Sequence, residues 1–313
     1  VEETLSGTIP DIVTPPGGGR ATGSETAAGE PAPTADTPGR KGPTTDGAAS
    51  EAASVVANID LKFSQPKREG VSRGGKQDPV TSGVRMGAFS QPSGRVVSPF
   101  GSEFYEPAFT GISYAFAGGK CTITATLNAV CPWGTNSGGD INVPTGASPV
   151  ITATNWPAIK ADLEPGRTTP FKSKRDKYYS QPLVERHEKF HGTDDLGWTR
   201  STGLGIVKTV LEAGAVSAPS AAADVASLVN GARTRIITDN NAWYKGAGTD
   251  HDSFAGEIRA YADGRPHYLA LSKAVEATGK RLAEQESVHA QIERERLGGA
   301  TEYREGGRNV PAP

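Results

Sequence analysis

The residues of this 313-residue chain best suited to chemistry are His187-Glu188-Lys189-Phe190-His191, two histidines four apart with a glutamate between them. On an α-helix, residues four apart lie on one face, one turn above the other, so both imidazoles can aim at a single point. Glu188 sits one step round the helix, where its carboxylate can reach a water held at that point. Two neutral nitrogen ligands with an adjacent base are what one helix can contribute to a hydrolytic zinc site. The chain has five histidines, and residue frequencies give the pattern by chance in roughly one such chain in two hundred. The competing reading is an exposed, charged helix that happens to carry two histidines. The setting favours the metal. Pro182 suits a first helical turn, and Leu183 and Phe190, seven apart, supply an apolar stripe.

A catalytic zinc site needs a third protein ligand and one open position. Glu257, in Gly256-Glu257-Ile258-Arg259-Ala260-Tyr261, lies near the start of a helix predicted downstream and can supply it. The plainer account of Glu257 is a first-turn glutamate favoured by the helix dipole. Asp250, His251 and Asp252 remain alternative ligands. Asp194 and Asp195 follow His191 too closely on one helix to surround an ion with it. They suit acceptors for an imidazole N–H, or surface charges. Zinc lowers the pKa of a bound water towards about 7 and polarises a scissile carbonyl. Glu188 would take the water proton and pass it to the leaving nitrogen. The oxyanion then needs a donor, for which Tyr261 is the first choice, with His251 and His267 behind it.

The motif His187–His191, followed downstream by Glu257-Ile258-Arg259-Ala260-Tyr261, resembles the gluzincin-type zinc metallopeptidases, secreted bacterial enzymes among them. The resemblance implies a small sheet before the motif helix and a later helix that supplies the glutamate. It further implies His187, His191 and Glu257 as Zn²⁺ ligands, Glu188 as general base, and a protein or peptide substrate. Other zinc-peptidase classes fit less well. Metzincins place Gly and then His or Asp three and six residues after the second histidine, where this chain has Asp194 and Gly197. The aspzincin Gly-Thr-x-Asp pattern is spelled by Gly192–Asp195, but directly after His191, and Gly248–His251 carries a histidine where the aspartate belongs. Two further readings stay open. One is a secreted or delivered effector that carries this activity. The other is a non-enzymatic module that a metal stabilises, with a closed four-ligand site.

The elements that must position these residues read as α+β, with a small β-rich N-terminal region followed by a helical zincin-type region. Residues 1–52 are expected to be a disordered leader or linker. Residues 1–50 contain no aromatic side chain, and Gly, Ala, Pro, Thr and Ser make up 35 of them, too little apolar surface to offset chain ordering. Such a leader could tether an upstream domain or a delivery partner. Residues 53–298 form the metallopeptidase-like unit, β-rich over 53–160 and helical over 161–298, and 299–313 read as a flexible tail. Strand patterns cover Val55–Phe63, Gly111–Ala117 and Thr122–Leu127, with shorter ones at Ile141–Val143 and Val150–Ala153. Helices are expected over 181–194, 202–214 and 219–243. The next starts near Asp252 or Ser253 and breaks at Gly264 and Pro266, and the last runs from Leu269 to about Leu297. The tripeptide Ser-Gln-Pro recurs at 64, 90 and 180 at unequal spacings, so it is no structural repeat.

A net charge of -2 offers no electrostatic footprint for nucleic acid, and no apolar run is long enough to span a bilayer. The first residue, Val1, is not an initiator, so the numbering is expected to begin after processing or inside a longer chain. Cys121 and Cys131 lie ten apart, unlike close Cys-x-x-Cys metal pairs. A disulfide between them is favoured over two buried thiols, which points to an oxidising, extracytoplasmic or secreted setting.

Overall fold

The computed structural model describes residues 6–12, 52–66, 79–80, 83–84, 101–135, 138–143 and 148–306. The strands are β1 (Ser6–Ile9), β2 (Ala53–Phe63), β3 (Pro79–Val80), β4 (Gly83–Val84), β5 (Gly101–Glu103), β6 (Glu106–Ala117), β7 (Lys120–Val130), β8 (Trp133–Thr135) and β9 (Ala215–Val216). The helices are α1 (Trp156–Leu163), α2 (Gln181–Trp198), α3 (Leu204–Glu212), α4 (Ala221–Lys245) and α5 (Ala255–Gly306). The fold is α+β, with a curled mixed sheet in the N-terminal half and helices after it.

The five-stranded sheet runs β1-β6-β7-β2-β9. Its spine is the β6–β7 hairpin, which turns at Gly118-Gly119, both at positive φ, as tight hairpins require. Strand β2 pairs with β7 in parallel. Along β7 the side chains alternate, and Cys121, Ile123, Ala125, Leu127 and Ala129 are all buried on one face. Against that face lie Val207 and Leu211 of α3 and Val225, Val229, Ala232 and Ile236 of α4. At β7's far end the hairpin continues as the short pair β5–β8, which packs on α2.

A second, smaller core joins Ile159 and Leu163 of α1 to Tyr178 and to Tyr268 and Val275 of α5. Glu276 of α5 ties these helices together, with its carboxylate 2.8 Å from Lys160 of α1 and 2.8 Å from Lys280. The hydrogen bond from Lys160, then that from Lys280, holds the Glu276 carboxyl down at about 2. A carboxylate depressed on folding contributes stability that is present above its unfolded pKa, about 4.3, and is lost as pH falls through its folded value. Glu276→Gln is therefore expected to lower the melting temperature slightly at pH 7. The gap to wild type should close between about pH 4.3 and pH 2, which a pH series of thermal melts measures.

Several expectations are corrected. Part of the expected leader is ordered: β1 pairs with β6, Ile12 bridges Phe109, and Asp11 accepts from the Gly111 N–H at 3.0 Å. The other residues of 1–51 lie outside those described. Cys121 and Cys131 are both buried and are not joined by a disulfide. They flank a single extended strand, and ten residues at about 3.3 Å each hold them far beyond the reach of a disulfide. The argument for an oxidising compartment therefore loses its support. Ile141–Val143 contributes one isolated bridge, Asn142 to Tyr179, and Val150–Ala153 forms no strand. The sequence reading gave no helix at α1. The expected breaks at Gly264 and Pro266 do not occur: α5 runs through both and on past Gly298 to Gly306. Pro266 removes one helical hydrogen bond, and packing of Tyr268, Ser272 and Val275 keeps the helix continuous. Among the described residues no helix is long and apolar enough to cross a membrane.

Candidate metal site

Helix α2 buries a stripe of Val184, Glu188, His191, Asp195 and Trp198, spaced four, three, four and three. That spacing is one helical face, and most of it is polar. Burying polar groups costs free energy unless they are paired, so the partners identify the site. The helix does not end at Trp198. One π-helical turn, Thr199–Gly203, carries it into α3, which anchors α2 on the sheet core through Val207 and Leu211.

His187 and His191 bring their Nε2 atoms to 3.0 Å from each other. Glu257, on the first turn of α5, completes the group. Its Oε2 lies 3.1 Å from His187 Nε2 and its Oε1 lies 3.3 Å from His191 Nε2. The three side chains are 12%, 5% and 3% exposed, so the cluster is buried yet open on the His187 side. Tetrahedral zinc with ligands at about 2.0–2.1 Å separates its donor atoms by about 3.3–3.4 Å. The observed separations of 3.0–3.3 Å lie at or just below that range, so the donor set fits a zinc ion after a small expansion.

Electrostatics point the same way. Burial, with a smaller push from His191 and Arg175, lowers His187 to about 4 against the pull of Glu257. Its imidazole is therefore neutral and available as a ligand at pH 7. Burial alone would raise Glu257, but hydrogen bonds from His187 and His191 outweigh it and hold the carboxyl well below the usual range. Burial raises Glu188 to about 8, with Glu257 adding and His191 and Arg175 opposing. A dication nearby would pull it back towards the ionised form.

Glu188 also depends on β5. A Cβ built on Gly101 would stand 2.7 Å from Glu188 Cγ and Oε1, closer than side chains approach. Gly101→Ala is expected to displace the carboxylate; if Glu188 acts as a general base, kcat/KM should fall about 10- to 100-fold. The zinc stoichiometry should not change. Steady-state kinetics alongside a zinc titration separate the two effects.

Tyr261 is buried one turn along α5 from Glu257, with its ring 4.9 Å from that of His187. Its hydroxyl lies 3.4 Å from Arg175 Nη2 and 3.4 Å from Asp252 Oδ1. Burial, reinforced by Glu257 and Asp252, pushes the phenol far up against the opposing charge of Arg175, so it stays protonated. Arg175 adopts a left-handed φ of 52°, uncommon for a non-glycine residue. The loop before α2 holds it there: the Arg175 N–H donates to the Asp162 carbonyl, and Asp162 Oδ2 accepts from the N–H groups of Lys177 and Tyr178.

The other candidates divide. Asp252 is held by Lys172 at 2.6–2.7 Å, and Asp250 caps the short turn His251–Ser253. Neither belongs to the ligand group. His251 reaches Glu257 Oε1 at 3.3 Å but also stands outside the group. His267 is exposed on α5, ten residues beyond Glu257 or about 15 Å along the helix, which removes it as an oxyanion donor. Asp194 pairs with Arg259 at 2.8 Å, and Asp195 is buried and accepts from Asn240 at 3.1 Å. Sequence reasoning missed Tyr244, whose hydroxyl hydrogen-bonds Glu257 Oε1, and Arg175. No spacing rule links either to the motif. A second buried group, Glu103, Cys131 and Asp195, brings ligand-type atoms within 4.8 Å of one another, but it contains no histidine.

Comparisons of the chain with protein-family models, curated proteins and solved structures find no match.

Proposed function

We propose that this chain is a zinc-dependent metallopeptidase that hydrolyses peptide bonds of a protein or peptide substrate. The observation that carries the reading is the convergence of His187, His191 and Glu257 within 3.0–3.3 Å, with Glu188 buried on the same face of α2. His187, His191 and Glu257 would hold the ion. Bound zinc supplies Lewis acidity and an open coordination position. Glu188 takes a proton from the attacking water and returns it to the leaving nitrogen. The protonated Tyr261 hydroxyl donates to the oxygen that gains charge, with Arg175 adding positive charge behind it.

The test starts from the purified chain, with elemental analysis for zinc and an assay on denatured protein and a broad peptide library. About one zinc per chain is expected, with cleavage lost on chelation and restored by zinc. Saturation at about 100 Kd adds about 2.7 kcal/mol of stability, so the melting temperature should rise by about 5–10 °C. A chain that binds no zinc and cleaves nothing sinks the proposal. Unfolding on chelation would point instead to a structural metal.

A further inference from the structure

The two oxygens of Glu257 have different surroundings. Oε2 lies 3.1 Å from His187 Nε2. Oε1 accepts the Tyr244 hydroxyl and has two imidazoles at 3.3 Å, His251 Nε2 and the proposed ligand His191 Nε2, whose contact with Oε1 a bound ion would replace. We propose that Tyr244 and His251 are positioning residues that occupy Glu257 Oε1, so that the carboxylate meets a metal ion through Oε2. This rests on the reading of His187, His191 and Glu257 as a zinc site.

The chemistry gives the arrangement a purpose. A carboxylate free to use both oxygens can take two coordination positions, and a hydrolytic site has to keep one open. Two donors on one oxygen, a phenol and an imidazole with its proton on Nε2, satisfy that oxygen and leave the other to the ion. Partners one step removed from the metal fix the orientation of its ligands in this way.

The packing around both donors is specific. Tyr244 is buried in the last turn of α4, with its ring 5.5 Å from that of His191. The first turn of α5 lies directly on it: a Cβ at Gly256 would stand 2.2 Å from the Tyr244 ring, so only glycine lets Glu257 approach the hydroxyl. Phe254 packs between the two donors, 5.9 Å from the Tyr244 ring and 5.8 Å from that of His251. The turn that carries His251 is closed by reciprocal hydrogen bonds between Asp250 and Ser253, and Lys172 pins Asp252 beside it. Tyr244, His251 and Glu257 thus come from three successive elements that lock against one another.

The experiment uses the full chain stripped of metal. Zinc affinity is measured by competition with a chromophoric chelator, and the visible spectrum is recorded with cobalt(II) in place of zinc. Tyr244→Phe keeps the ring and removes the donor. His251→Ala removes the other from a half-buried turn, and His251→Gln restores a side-chain donor. Each loss is expected to weaken zinc binding about 10- to 100-fold and to lower the intensity of the cobalt bands as the carboxylate's second oxygen enters the coordination sphere. His251→Gln should recover part of both. If Tyr244→Phe and His251→Ala match wild type in affinity and spectrum, the positioning role is wrong although the zinc site stands. If wild type itself binds neither metal, the site fails and the positioning role falls with it.

Discussion

Glu188→Gln is expected to bind zinc as tightly as wild type and to lose peptide hydrolysis by about 10²- to 10⁴-fold, the usual worth of a positioned general base. Size and shape are conserved, so the packing of Gly101 on the side chain survives. Only the capacity to accept a proton is removed. Because Glu188 is buried and its pKa is pushed up, the neutral amide suits the metal-free fold. The melting temperature should therefore hold within a few degrees while kcat collapses and KM changes little. A variant that cleaves a peptide library at the wild-type rate would remove Glu188 from the chemistry, and the base would have to be sought elsewhere.

The second large effect belongs to Glu257. Glu257→Ala is expected to weaken zinc binding by more than the 10- to 100-fold that loss of an outer partner costs, because it deletes a ligand and leaves two imidazoles that bind poorly alone. It also strips Tyr244 and His251 of their shared acceptor. Asp252→Ala is the matched control. It lies five residues away, and its loss takes the acceptor from Lys172 and from the Tyr261 hydroxyl but removes nothing from the ligand group. Chelator competition on both variants reads the difference. Equal affinities would mean that the third ligand is not Glu257.

Some of this arrangement is legible in the chain itself and some is not. The motif helix is legible because its signal is local. Four-residue spacing fixes a face, and Pro182 marks its start. Glu257 stands out because an acidic residue opens a helix with an apolar stripe. Tyr244 and Arg175 are not legible, because each reaches the site through packing between elements far apart in sequence. β1 is invisible for a related reason: four residues, Ser6–Ile9, form a strand only because the β6 edge is there to pair with. The cysteine expectation failed on geometry. Ten residues make a short loop in a turn but a long rod in a strand, and β7 is a strand from end to end. Pro266 misled for the opposite reason, since tertiary contacts on α5 outweigh one missing hydrogen bond.

The parallel pairing of β2 with β7 sets the order in which this molecule can assemble. Ser54 meets Lys120 and Phe63 meets Ala129, partners 66 positions apart along the chain in both cases. The β6–β7 ribbon needs only its own tight turn and can zip on the microsecond scale. Capture of β2 must wait for a long loop to close, an entropic toll that makes distant pairings slow. Pulse-labelled hydrogen exchange should find amides of β6 and β7 guarded early and those of β2 late. The first part of the sheet to take shape is then the ribbon that extends into β5 and Gly101, so the strand on which Glu188 rests does not wait for β2.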